Sequence, residues 1–171
     1  MSKPRIHIAT DHAGLRLSEH LVQHLTAAGH EVVDHGPAQY DPNDDYPKFC
    51  IRAAQAVVAD SASGINALGV VLGGSGNGEQ IAANKVIGIR AALAWNLDTA
   101  RLARQHNDAN VIAVGGRQHS VEEATLLIEA FVNEPFSQDE RHARRISQIS
   151  DHESEACCVP DQWPKYPGVS A

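Results

Sequence analysis

The sequence is short of cysteine, of long apolar runs and of positive charge, and each shortage removes a class of function. Three cysteines among 171 residues make neither a disulfide framework nor a zinc spacing. Cys157 and Cys158 are adjacent in a polar tail, and Cys50 stands alone in an apolar helical pattern, where a small buried hydrophobe is expected. Fourteen Lys and Arg against twenty-one Asp and Glu leave a formal charge of −7, which repels a phosphate backbone, so no nucleic-acid partner is expected. No apolar run approaches a membrane span, and the start MSKPRIHIAT has no signal-peptide core. A cytoplasmic protein without a membrane partner is expected. The ten histidines are expected to offer no H-x-x-x-H or H-E-x-x-H pair within a helix, which removes support from a metal-dependent hydrolase. The acidic loop PAQYDPNDDYP (37–47) has turn chemistry but lacks the glycine and terminal glutamate of an EF-hand, so no calcium loop is assigned.

With 43% apolar residues, the chain is long enough for one domain with a sizeable core. Short β-branched runs recur at 5–10, 30–36, 68–74, 90–95 and 110–116, alternating with helical patterns. Leu17, Leu21 and Leu25 fall at helical spacing ahead of Gly29, a C-cap residue, and Ser120 with Glu123 forms a capping box before ATLLIEAFV. The alternation predicts a single α/β domain, doubly wound and flavodoxin- or Rossmann-like. Its sheet is expected to be parallel and five-stranded in the order 2-1-3-4-5, with helices on both faces. The domain is assigned to 1–150. Residues 151–171, with three prolines and no apolar period, are expected to form a flexible or surface-draped tail. In such folds ligands bind beyond the carboxyl ends of the strands, where this chain places Asp11, His12, the 73–78 turn, Asn96 and Arg117.

The stretch VVLGGSGNGEQIAANK, Val70 to Lys85, puts four glycines at 73, 74, 76 and 78 between a strand and a helix start. Glycine lets a ligand approach backbone N–H groups closely, and a helix N-terminus favours an anion. The stretch is neither a Walker loop nor a G-x-G-x-x-G fingerprint, which argues against ATP and NAD. Glu79 either complements the helix dipole or faces the bound group as a base. Asp11 and His12 follow the first strand, where an N-cap and a ligand contact are equally served by Asp. His106 and Asn107 end the helical run LDTARLARQHN, where a histidine also suits the helix C-terminus. Arg117 follows two glycines at a strand end and reads as an anion contact. Arg141 and Arg145 share one helix face beside His142; that face is either simply solvated or a grip for a phosphate dianion.

Four segments together carry a resemblance: DHAG at 11–14, GGSGNGEQIAANK at 73–85, ARQHNDANVIAVGGR at 103–117 and RHARRI at 141–146. In this order they resemble the type B ribose-5-phosphate isomerases, the sugar-phosphate isomerase family that also contains galactose-6-phosphate isomerase subunits, over residues 5–150. The family often carries a catalytic cysteine where this chain has Gly73, and the likeness is to the actinobacterial-like branch, with Glu in place of that cysteine. The resemblance implies an aldose-ketose isomerase that interconverts ribose 5-phosphate and ribulose 5-phosphate through a cis-enediolate, in the non-oxidative pentose phosphate pathway, without metal or organic cofactor. It implies Glu79 as base and His106 as the group that opens the furanose ring, with Asp11, His12 and Asn107 on sugar hydroxyls. The N–H groups of Gly74, Ser75, Gly76, Asn77 and Gly78 would face the enediolate. Arg117 would meet the phosphate together with Arg141, His142 and Arg145 of a partner subunit, since family members are homodimers or dimers of dimers with a C-terminal helix reaching the partner. The alternatives are another sugar phosphate as substrate (allose 6-phosphate, galactose 6-phosphate or a tetrose phosphate) and a phosphometabolite-binding module without catalysis. Glu79 with His106 argues against the latter, because phosphate capture requires neither.

Overall fold

The computed structural model describes residues 3–156. In chain order the elements are β1 (Arg5–Ala9), α1 (Leu15–Ala27), β2 (Val32–Asp34), α2 (Tyr46–Ala62), β3 (Ala67–Gly73), α3 (Asn77–Ala83), β4 (Ala91–Leu93), α4 (Leu97–Asn107), β5 (Val111–Gly115), α5 (Val121–Asn133) and α6 (Glu140–Ala156). All four strand pairings are parallel. Alternate side chains of each strand enter different layers, as the two-residue strand repeat requires. Ile6, Ile8, Val70, Leu72, Ile112 and Val114 pack with α1, α4 and α5, and Ala9, Val71, Val111 and Ala113 with α2 and α3. Both expected caps are present: Gly29 has φ 88° after α1, and Ser120 with Glu123 closes a reciprocal capping box on α5. Cys50 is buried on α2 as expected, and burial pushes its thiol up to about 12.

The doubly wound parallel sheet is as expected, but the strand order is β2-β1-β3-β5-β4 rather than 2-1-3-4-5. β5 is five residues long and buried throughout, whereas β4 has three residues and is only partly buried. The strand with more to bury takes the interior place between β3 and β4. This order sets the backbone after β5 against the glycine turn: the Gly116 N–H donates to Gly73 O at 2.7 Å and the Arg117 N–H to Gly74 O at 3.2 Å. Asn96, expected at the ligand edge, instead caps α4, its side chain accepting the Thr99 N–H at 2.8 Å.

The tail expected from residue 151 is helical as far as Ala156. The stretch ISDHESEA contains no Gly or Pro, so α6 runs through the boundary placed at 150. Cys157 and Cys158 and the three prolines lie outside the described residues. Among the described residues no helix is long and apolar enough to cross a membrane.

Candidate active site

The carboxyl edge of the sheet opens onto a cavity of about 560 Å³. β1 leads into it Asp11, His12 and Ala13; β3 and the start of α3 bring Gly74, Ser75, Gly78 and Glu79; β5 brings Arg117 and Gln118; and α2 adds Tyr46. A second cavity of about 520 Å³ lies around Trp95, Leu97, Leu126 and Leu127. It has neither the glycine turn nor a buried carboxylate.

Glu79 is 4% exposed in the first turn of α3. Burial raises its pKa above the ordinary glutamate value and the nearby Asp11 adds to the rise, while the backbone amides of Glu79 and Gly76 oppose it. A Cβ built on Gly73 would lie 1.8 Å from Glu79 Oε1 and 2.2 Å from its carboxyl carbon. The carboxylate thus fills the volume that any side chain at 73 would need. Gly76 serves the turn itself: its φ is 81°, and a Cβ there would meet Leu93 at 2.7 Å. Neither Gly76 nor Asn77 lines the cavity, and the Asn77 N–H is held by Ser75 Oγ at 3.3 Å. Of the amides expected to face a bound oxyanion, those on residues lining the cavity are Gly74, Ser75 and Gly78.

Asp11 is 7% exposed and is not the cap of α1; that position is Gly14. Its Oδ1 accepts the Ala13 N–H at 2.9 Å. His12 meets Asp44 through both its backbone N–H, at 3.0 Å, and its ring Nδ1, at 2.7 Å. Asp11, His12 and Asp44 are the group among the described residues whose ligand atoms converge closely enough for a metal ion, within 4.8 Å of one another. The His12 and Asp44 atoms are already engaged with each other. Contrary to expectation, His20 and His24 do form an H-x-x-x-H pair on α1, with stacked rings, but the latter is hydrogen-bonded to Glu129 at 2.8 Å and neither lines this cavity.

The remaining expected residues are elsewhere. α4 runs back from the carboxyl edge, so His106 and Asn107 lie at the amino edge: Arg90, which precedes β4, donates from Nε to Asn107 O at 2.8 Å. β3 has seven residues, which puts the two edges roughly 20 Å apart. Arg141 and Arg145 are exposed on α6, which packs against α4. His142, expected to touch substrate, is 3% exposed; its Nδ1 meets Ser137 Oγ at 3.0 Å, and its ring lies 4.2 Å from that of His106. The α6 face that presents the arginines turns this histidine inward, and burial and the nearby His106 lower its pKa. Sequence reasoning missed Asp44, Tyr46 and Gln118. Asp44 and Tyr46 fall in a stretch whose composition signals only a turn, and Gln118 follows a motif that draws attention to its arginine.

A family model described as Ribose/Galactose Isomerase matches residues 6–149. The ribose-5-phosphate isomerase B of Mycobacterium leprae is 50% identical over 171 residues, covering 100% of both chains. That of Escherichia coli K12 is 36% identical over 146 residues, 85% of this chain and 94% of its own. The crystal structure of ribose-5-phosphate isomerase B from Mycoplasma genitalium with bound ribulose 5-phosphate superposes with a TM-score of 0.85 at 39% identity, covering 91% of this chain and 99% of that one.

The raised pKa of Glu79 has a stability consequence. Above the ordinary glutamate range the unfolded chain has released a proton that the native state still holds, so stability falls as pH rises through the window up to the raised native value. Glu79→Gln removes this loss. Its denaturant midpoint should exceed that of the wild type at neutral pH, and the gap should close as pH falls below the ordinary glutamate range. A lower midpoint at neutral pH would contradict the burial of an ionisable acid at this place.

Proposed function

The chain belongs to the ribose/galactose isomerase family, and from that premise we infer that it is an enzyme interconverting ribose 5-phosphate and ribulose 5-phosphate. Relatives at 50% identity across the whole chain carry that activity in their names. Within the molecule, the observation that supports it is the buried Glu79 carboxylate in the side-chain volume of residue 73, facing the cavity. The reaction removes a proton from C2 of the aldose and returns one to C1, with negative charge on oxygen in between. A carboxylate whose pKa is raised toward neutrality can take that proton and give it back. Backbone N–H groups of Gly74, Ser75 and Gly78 are placed to stabilise the enediolate, and donors of this kind are worth about 3 to 4 kcal/mol each. Asp11 and His12 hold hydroxyls, and Arg117 holds an anionic end of the substrate.

Ring opening and the rest of the phosphate grip come from a second copy. His106, Asn107, Arg141 and Arg145 cluster at the amino edge, too far from their own Glu79 for one substrate to bridge. In a homodimer they complete the partner's cavity. Exposed apolar side chains support the pairing: Ile81 on α3 is 58% exposed and Ile149 on α6 is 50% exposed.

Purified protein should convert ribose 5-phosphate to a product with ketose absorbance, and in a panel of four-, five- and six-carbon sugar phosphates the pentose should turn over fastest. No turnover of any member would refute the enzyme reading. Glu79→Gln should lose at least about 10²-fold in kcat while still binding substrate. Gly73→Ala, whose methyl must displace the Glu79 carboxylate, should fall comparably, and near-normal turnover in either variant would remove Glu79 as the base.

Complementation tests the shared site. Arg141→Ala should lower kcat/KM by about 10- to 150-fold, the effect of one charged contact. Co-expressed in equal amounts with Glu79→Gln, it should regain about a quarter of wild-type activity, because half the dimers are mixed and half their sites carry neither lesion. Activity no higher than the mean of the two parents would place each site within a single chain.

A further inference from the structure

Asp44 has no part in the roles above, yet its surroundings are those of a site residue. Residues 40–43 and 45 are exposed, whereas the Asp44 side chain is 4% exposed. Its Oδ1 accepts both bonds from His12, and its Oδ2 is buried without a partner. A buried carboxylate with one orphaned oxygen weakens a fold more than a single neighbour restores, so its placement calls for another gain. That gain is visible at His12. Two bonds to one oxygen fix both the backbone position and the rotation of the ring, while the ring itself stays 23% exposed and lines the cavity. Tyr40 stands edge-on to it with centroids 6.1 Å apart. An acceptor on Nδ1 decides which nitrogen carries the proton and which is left for a ligand.

We propose that Asp44 is the positioning residue of His12: it holds the proton on Nδ1 and leaves Nε2 to accept a hydrogen bond from a substrate hydroxyl. The substrate part of this inference rests on the isomerase reading; the tautomer part does not. Asp44 never touches the sugar. Its contribution passes entirely through the imidazole.

Nitrogen-15 NMR of the free protein at pH ~8.5, above the ordinary histidine range, tests the tautomer directly. The His12 signals are identified by their loss in His12→Gln. In the wild type His12 should be protonated on Nδ1, and in Asp44→Ala it should move toward the Nε2-protonated form; an Nε2-protonated wild type overturns the proposal. Kinetically, Asp44→Ala should lower kcat/KM about tenfold, mostly through KM, as loss of one hydrogen bond would. In a His12→Ala background the same change should cost nothing further, and an additive loss would show Asp44 acting by another route. Asp44→Asn keeps an oxygen that can accept both bonds, so it should retain the Nδ1 tautomer and lose less than about threefold. If it changes tautomer, or if it falls as far as Asp44→Ala, the proposal fails, and this arm holds even if the alanine variant does not fold. Wild-type protein inert toward every sugar phosphate would instead sink the isomerase reading, with the tautomer still judging Asp44.

Discussion

Glu79 can be buried at the end of β3 only because residue 73 has no side chain, and the site is arranged around that exchange of volume. With the carboxylate folded back over Gly73, the turn must pass closely beneath it, which Gly76 permits with φ 81° and almost no room for a Cβ. The same burial, with Asp11 close by, raises the pKa of the acid. A carboxylate in this setting is a poor structural element and a good proton carrier. A side chain at 73 and the carboxylate of Glu79 would therefore compete for one volume, which gives a steric reason for the glycine there. The thiol that does lie near, Cys50, is held protonated by its burial and has no comparable chemistry.

The strand order does the rest of the positioning. Because β5 adjoins β3, the two glycine-rich ends are stitched by backbone bonds from Gly116 to Gly73 and from Arg117 to Gly74, and the arginine stands at the rim of the cavity. Had β4 come between them, Asn96 would occupy that rim. The winding that brings Asp11, Glu79 and Arg117 to one edge also sends the end of α4, with His106, to the other, since a crossover helix runs antiparallel to its strands. One chain cannot bring both groups to the same sugar. This topological limit, rather than any single contact, makes the pairing of two copies integral to the proposed chemistry.

What could be read from the sequence was local or periodic. The five strands, the caps at Gly29 and Ser120, and the glycine turn with Glu79 each carry their signal within a few residues. The order of β4 and β5 was not legible, because it depends on how much each strand buries once the helices are packed, and RAALAW and NVIAVGG look alike as short apolar runs. The inward turn of His142 escaped for a similar reason: the spacing of Arg141 and Arg145 defines a face, but not whether the residue between them points at solvent or at His106. Asp44 and Tyr46 were hidden by their company, since a loop of Asp, Asn and Pro reads as a turn whether or not one carboxylate folds under it. Residues that act through another side chain leave no motif.

The two edges of the sheet also treat acids in opposite ways, and that contrast bears on whether the cavity merely binds a phosphate compound. At the amino end of β1, Asp60 receives hydrogen bonds from His7 and Arg5, with Arg5 also paired to Glu31, and those bonds hold its carboxyl below the usual range. Such an acid is ionised and satisfied, as a structural pair should be. Glu79 has burial and the charge of Asp11 against it and no cation among the influences on its pKa. A cavity evolved only to capture an anion gains nothing from a buried carboxylate that would repel the ligand whenever it ionised. The arrangement makes sense if the negative charge is temporary: the acid is ionised to take a proton, is neutral while the enediolate carries the charge, and is ionised again once the proton is returned. In the proposed reaction the disfavoured ionisation of Glu79 would favour moving the charge onto a substrate oxygen within reach of the backbone amides.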